Sequence, residues 1–194
     1  MKKYYLIAAT VFCSQLLVAQ VKYAESVIDF SSQFSSPSWG ANQATGAPDT
    51  YPRYGDITTA WASQTSDGQR EFIELAYPSN NAPIDSIFIF ETYNAGAVDL
   101  VQVKGASGNW QTVYSGTAQS FANEARVLRL GFSKTSFAVK AVRIELNSPA
   151  IAGWNEIDAV GISNGSALVL SSAEEPMYQQ QIAVYPNPNA GVLN

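Results

Sequence analysis

The sequence has no histidine and a single cysteine in 194 residues. The missing imidazole excludes His-based acid–base catalysis, Ser-His-Asp and Cys-His nucleophile systems and any His-containing zinc site, because each needs an imidazole near neutral pH. A lone thiol, Cys13, closes no internal disulfide and builds no thiolate metal site or iron–sulfur cluster by itself. Charge is also scarce: 14% of residues are charged, 11 basic against 16 acidic, for a net charge of -5. No run of Lys or Arg occurs beyond Lys2-Lys3, which argues against nucleic-acid binding. The stretch from Tyr4 to Ala19 is mostly apolar, but it is broken by Ser14 and Gln15 and falls short of the ~20 residues a membrane-spanning helix needs. What is present is 46% apolar and 12% aromatic, which suits one core in one domain of ordinary size.

Met1-Lys2-Lys3, the apolar stretch and Val18-Ala19-Gln20 together read as a secretory signal over residues 1–20. Lipoprotein anchoring through Cys13 is disfavoured, since Phe12 is too bulky for a lipobox and the cysteine lies inside the apolar stretch. Cleavage would take two of the 11 basic residues, leaving nine against 16 acidic ones, and with them the thiol. The expected mature protein is acidic, cysteine-free and exported, with no membrane span.

Beyond the signal the hydrophobic period is two rather than 3.6. Val27 to Phe30, Phe72 to Leu75, Ile84 to Phe90, Val98 to Val103, Trp110 to Tyr114, Val127 to Phe132, Val139 to Leu146 and Ile157 to Ile162 are short β-branched or aromatic runs. Gly, Asn, Ser and Pro clusters separate them, among them 78–83, 94–96 and 105–109. Val101 to Lys104 and Trp110 to Tyr114 flank one such cluster and predict a hairpin. No ten-residue stretch carries a helical stripe. Short strands at this spacing predict an all-β antiparallel β-sandwich or jelly roll over residues 21–163. A domain of that length buries roughly two thirds of its unfolded surface, enough to stand without disulfides.

After Ile162 the composition turns to Ser, Gly, Ala, Glu and Gln, which reads as a linker over 164–181. Ile182-Ala183-Val184-Tyr185-Pro186-Asn187-Pro188-Asn189-Ala190-Gly191 then stands apart. It resembles the opening strand and turn of the C-terminal sorting domain read by the type IX secretion system. The resemblance implies a truncated start of such a domain over 182–194, the type IX machinery as a partner, a bacterial cell-surface or secreted location, and a longer parent chain. The other reading is a proline-stiffened surface tail.

Six segments in order carry a second resemblance: Ala41 to Thr50, Thr59-Ala60-Trp61-Ala62-Ser63, Glu71 to Leu75, Ile84 to Ile89, Ala141 to Leu146 and Asn155 to Val160. Together they look like the galactose-binding-like jelly roll, and within it the discoidin, or coagulation factor 5/8 C-type, domains and related bacterial carbohydrate-binding modules. Tyr23-Ala24, Val27 to Ser32, Glu91-Thr92-Tyr93 with Gly96-Ala97-Val98, and Glu156-x-Asp158-Ala159-Val160 are similar to the discoidin-like N-terminal domain of a leucine-rich-repeat F-box protein. Discoidin domains usually staple their termini with a disulfide, so only the cysteine-free bacterial branch fits. Ligand-choosing loops transfer least, and the resemblance implies architecture more securely than function.

Superfamily members often hold one calcium ion with loop carbonyls, an Asp and a Glu from the last strand; Asp49 and Glu156 occupy the matching positions. A hard cation takes six to eight oxygens, which a loop turned by Gly46 and Pro48 can offer. Alternatively, Asp49 closes an Asx turn with Thr50, and Glu156 pairs with Arg53 or Arg143. For sugars, a site needs flat aromatic faces and a few planar polar groups. The loops supply Trp39, Tyr51, Arg53, Tyr54, Arg70, Tyr93, Asn94 and Trp154. Trp61 matches a core position of the family; Tyr93 and Trp154 could instead cap the sandwich. Glu91 is expected to receive loop amides or an Arg. A glycosidase would draw its pair from Asp49, Asp56, Asp67, Glu71 and Glu91, but no spacing singles out two of them, and an enzyme is not expected.

The expectation is therefore a secreted or surface-bound, non-catalytic module that recognises a glycan or surface polymer, with calcium as a structural ion. The alternative is an adhesive or structural domain of a larger surface protein that packs against other domains and binds no small ligand.

Overall fold

The structure is a computed structural model, and it describes residues 21–78, 82–165 and the backbone of 183–184. The proposed signal, most of the linker and the Tyr185 to Gly191 motif lie outside the described residues. The strands are β1 (Lys22–Tyr23), β2 (Ser26–Phe30), β3 (Glu71–Ala76), β4 (Ser86–Tyr93), β5 (Val98–Lys104), β6 (Gln111–Ser115), β7 (Arg126–Gly131), β8 (Ala141–Leu146), β9 (Glu156–Ser163) and β10 (Ala183–Val184). Two short 3-10 turns, Ala41–Ala44 and Ser148–Ala150, sit in loops. The strands form two sheets ordered β1-β9-β4-β7-β10 and β2-β3-β8-β5-β6, antiparallel throughout except where β10 joins β7 in parallel. The chain is thus the expected all-β sandwich of jelly-roll type.

Period-two alternation places the core. In β3, Ile73 and Leu75 point inward and pair across the ladder with Ile144 and Val142 of β8, while Phe72 and Glu74 face out opposite Glu145 and Arg143. The predicted hairpin forms between β5 and β6, with Val101 opposite Tyr114 and a register shift after it. Strand β4 is buried on both faces, which is why Ile87 to Phe90 reads as a continuous apolar run. Ile87 and Ile89 enter the core between the sheets, whereas Phe88 and Phe90 pack outside with Ala159 under Val21, Tyr23, Tyr51 and Val127. Trp61 is core as expected: 1% exposed, bridged through its backbone to Ile157 in both directions, its indole N–H donating to the Ser32 carbonyl at 3.0 Å.

Register decides which loops meet. Tyr93 at the end of β4 pairs with Glu156 at the start of β9, and Glu91 with Arg126 at the start of β7. Leu146 at the end of β8 pairs with both Glu71 at the start of β3 and Val98 at the start of β5. Phe30, last in β2, lies opposite Ile73, and Ser115, last in β6, opposite Leu100. The four connections 31–70, 94–97, 116–125 and 147–155 therefore gather at one end of the sandwich. That end holds the ten residues expected from sequence to touch a sugar or a metal.

Candidate ligand-binding face

Two aromatic clusters stand on this end. In the first, the rings of Tyr54 and Tyr93 are 5.4 Å apart, and the Tyr54 hydroxyl is directed at Oδ1 of Asn94 and of Asn123, at 3.2 and 3.3 Å. In the second, Phe34 meets Trp39 and Trp154 edge to face at 5.4 and 5.7 Å, with Phe34 itself 48% exposed. Asn94 joins them: its Nδ2 donates to the Trp154 carbonyl at 3.0 Å. The indole N–H of Trp154 donates to the Ser63 carbonyl at 3.1 Å, which ties that ring to the long loop.

Backbone strain concentrates here. Among the described residues the non-glycines with positive φ are Trp39 at 52° and Asn94 at 39°. Asn tolerates that region, but for a bulky Trp it is costly and persists only where surrounding contacts impose it. Those contacts are Trp39 N–H to Thr58 O at 2.9 Å and Ala62 N–H to Trp39 O at 3.3 Å.

The long loop is pinned from below by β9. Register shifts between β4 and β9 leave Asp158 without a partner in the ladder, a β-bulge that aims its carboxylate at the loop. It accepts the amides of Asp49 and Thr50 at 3.3 and 3.2 Å and that of Tyr51 at 2.8 Å. Burial holds Asp158 above the ordinary carboxylate range, with the Asp49 charge adding a little. Glu156, two residues earlier, is 1% exposed; its Oε2 accepts the Ile57 amide at 3.3 Å while its Oε1 has no partner. Burial above all, with the neighbouring Asp56 carboxylate, pushes Glu156 up to about 8. The indole Nε1 of Trp39 lies near enough to favour the ionised form but makes no hydrogen bond.

The expected site residues divide accordingly. Trp39, Tyr54, Tyr93, Asn94 and Trp154 form the two linked clusters. Tyr51 turns away and packs edge to face on Phe90 at 5.3 Å, on the outer side of the first sheet. Arg53 is exposed and reaches the carbonyls of Thr50 and Asp49 at 3.4 and 3.5 Å. Arg70 grips Asp99 through both terminal nitrogens at 2.8 and 2.7 Å and approaches Glu145 at 3.5 Å, so strands β5 and β8 hold it rather than the aromatic clusters. Of the two expected metal ligands, Asp49 takes the Thr50 hydroxyl at 3.4 Å and neighbours Asp158, and Glu156 neighbours Asp56; among the described residues no three His, Cys, Asp or Glu side chains gather as a metal site. Glu156 meets neither Arg53 nor Arg143, the latter being bound to Glu74 and Glu145 at 2.6 and 3.0 Å. Glu91 takes both partners foreseen for it, the Gly96 amide at 2.8 Å and Arg126 at 2.7 Å. Sequence reasoning passed over Phe34, Asn123 and Asp158. Phe34 had a signal, a lone aromatic among Ser31 to Ser38; Asn123 had none.

The family model for the C-terminal SD scarf domain of pappalysin-1 matches residues 6–172. The chain belongs to this family. A curated relative, F-box/LRR-repeat protein 4 from Bos taurus, is 26% identical over 182 residues, covering 76% of this chain and 29% of the relative. The chain thus spans under a third of that relative's length. Among solved structures, chitosan-binding module 1 of a chitosanase/glucanase from Paenibacillus sp. IK-5 superposes with a TM-score of 0.54 at 15% identity, over 73% of this chain and 98% of that one. XRCC1, solved with the DNA polymerase β catalytic domain, gives 0.54 at 16%, over 75% and 99%. These likenesses show the jelly-roll fold for this chain and nothing narrower.

Proposed function

We propose that the chain is a non-catalytic glycan-binding module whose binding face is the loop end. The observation that carries this reading is the Asn94 joint, which ties two aromatic clusters together through hydrogen bonds to Tyr54 and to the Trp154 carbonyl. Aromatic faces offer stacking for the apolar side of a pyranose, and the carboxamides of Asn94 and Asn123 with the Tyr54 hydroxyl are the planar or terminal groups that exchange hydrogen bonds with sugar hydroxyls. The chitosan-binding module of the same fold supports the reading by analogy. Three of the five carboxylates from which a glycosidase would draw its pair have other partners: Ser31 and Ser32 donate to Glu71, Gly96 and Arg126 hold Glu91, and the Gly153 amide donates to Asp67.

We further propose calcium as a structural ion beside this face. Glu156 supports it best, because a buried carboxylate with one oxygen lacking a partner and a second acid alongside is an arrangement that a cation would stabilise. Glu156 and Asp56 would hold the ion; Asp49 supports it less, being turned to Thr50 and Asp158. Bound calcium would order the loop. Export is supported by the leader-like residues 1–20, with secretion or surface display through the type IX machinery as the route that the terminal motif suggests.

The test is a glycan panel against the full chain, with Tyr54→Ala and Tyr93→Ala alongside. Weakened binding at an unchanged melting temperature supports the reading; a wild type that binds no glycan overturns it. The packing alternative then gains, and it has its own support in edge strand β2, where Ile28 is 50% and Phe30 36% exposed. For export, mass spectrometry of the secreted protein should find an N-terminus near Gln20 or Val21.

A further inference from the structure

The Phe34, Trp39 and Trp154 cluster has a fixed charge at its edge. Asp67 is exposed, and its Oδ1 accepts the amide of Gly153, the residue before Trp154, at 3.0 Å. Ser63, whose carbonyl receives the Trp154 indole N–H, lies four positions earlier in the same loop, so residues 63–67 bracket that indole. The other oxygen of Asp67 takes the Ser66 hydroxyl at 3.3 Å, and no basic side chain pairs with it among the described residues.

Elsewhere on the described surface, three rings carry a cation. Arg126 stands 3.6 Å from the centroid of Phe121, Arg143 3.8 Å from Phe72 and Lys104 4.3 Å from Trp110. Those arginines also hold carboxylates. The Phe34 cluster combines the same two attractions, ring faces and a carboxylate, with no cation of its own. Around it, the four loops carry Asp49, Asp56, Asp67 and Glu124 against Arg53 and the already paired Arg70. A ring quadrupole and a fixed carboxylate both favour positive charge, and a protonated amine on a sugar ring would meet both at once while its C–H face stacks.

Resting on the glycan reading above, we propose that this face selects a protonated amine: its ligand is an amino-sugar chain with free ammonium groups, and Asp67 with the faces of Phe34 and Trp154 forms the ammonium subsite. Neutral and uronate chains of the same length are the weaker ligands.

Calorimetry of the full chain tests this with β-linked glucosamine oligomers, their fully N-acetylated counterparts and galacturonate oligomers of equal length, at low salt and at a pH where the amine is protonated. The glucosamine oligomer should bind most tightly and the galacturonate least. Asp67→Asn keeps the acceptor for the Gly153 amide and removes only the charge, so it should narrow the gap between glucosamine and its acetylated form by roughly fivefold and leave the acetylated affinity unchanged. Added salt should narrow the same gap. Phe34→Ala, at an exposed position, should weaken all three. Equal affinity for the free and acetylated oligomers, a preference for galacturonate, or a gap indifferent to Asp67→Asn would overturn the inference while leaving the glycan reading in place. Binding to none of these oligomers nor to a wider glycan panel would remove both.

Discussion

The side-chain amide of Asn94 donates to the main-chain carbonyl of Trp154 at 3.0 Å, and its oxygen lies 3.2 Å from the Tyr54 hydroxyl. One carboxamide therefore ties together two aromatic clusters drawn from two loops and the end of β4. The approach is close enough to dictate its neighbour. Gly153 sits at φ +88°, and a Cβ there would lie 2.5 Å from Asn94 Nδ2.

Substitution at the joint should separate stability from binding. Asn94→Ala removes both hydrogen bonds and places Ala at a positive φ, for a loss of about 1–3 kcal/mol in denaturant unfolding. Gly153→Ala should weaken glycan binding through displacement of Asn94 even where the fold survives. If Asn94→Ala unfolds like wild type and binds like wild type, the two clusters are independent and the joint has no role.

Phe34 and Trp61 make a matched contrast. Trp61 is fully buried, so Trp61→Ala should cost about 3–5 kcal/mol of stability whatever the ligand. Phe34 is 48% exposed, and Phe34→Ala should cost on the order of 1 kcal/mol in stability. Its effect should appear in affinity, at the scale of an interface hot spot, about 2 kcal/mol or roughly thirtyfold. Equal destabilisation by the two variants would place Phe34 in the core and remove it from the face.

Legibility in the sequence follows the range of the interaction. Strand positions could be read because alternation is local: Ile73 and Leu75 turn inward, and Phe72 and Glu74 outward, by geometry alone. Trp61 and the partners of Glu91 could also be anticipated, since a large apolar residue and an acid at the end of an apolar run have few satisfactory environments. Arg70 could not. Its partners Asp99 and Glu145 arrive on other strands, and nothing near Arg70 announces them. Tyr51 and Tyr54, three apart in an irregular loop, separate to different faces because no period relates them. Asp158 looked like one more strand residue, since a bulge is a property of the pairing of β4 with β9 and appears in neither strand alone.

Asp158 is accordingly where loop and sandwich should come apart. Asp158→Ala strips the acceptor from the amides of Asp49, Thr50 and Tyr51, of which that of Thr50 is buried. A buried amide without a partner costs about 1–3 kcal/mol. The variant should lose hydrogen-exchange protection at residues 49–51 well below the temperature of global unfolding, with the cores of β3 and β8 unchanged. Protection at 49–51 equal to wild type would mean that other contacts hold the loop.

Glu156 links pH to stability and to calcium with a definite sign. Its carboxyl is held at about 8 in the fold against an ordinary 4.5, so between those values it is protonated in the folded chain and ionised in the unfolded one. Folding takes up a proton across that window. Stability contributed by this group is therefore full below about 4.5, falls as pH climbs toward about 8, and changes no further above it. Calcium needs the ionised carboxylate, so it competes with the proton and should oppose the fall most strongly at the upper end. Melting temperatures measured in chelator should decline across the window for wild type more steeply than for Glu156→Gln, in which no ionisation occurs. Calcium at a hundred times its dissociation constant should restore about 2.7 kcal/mol to wild type near the top of the window and nothing to Glu156→Gln. Identical pH profiles for the two proteins in chelator would show that Glu156 ionises in the fold as freely as in water. Identical melts of wild type with calcium and with chelator, at every pH, would remove the ion from the loop.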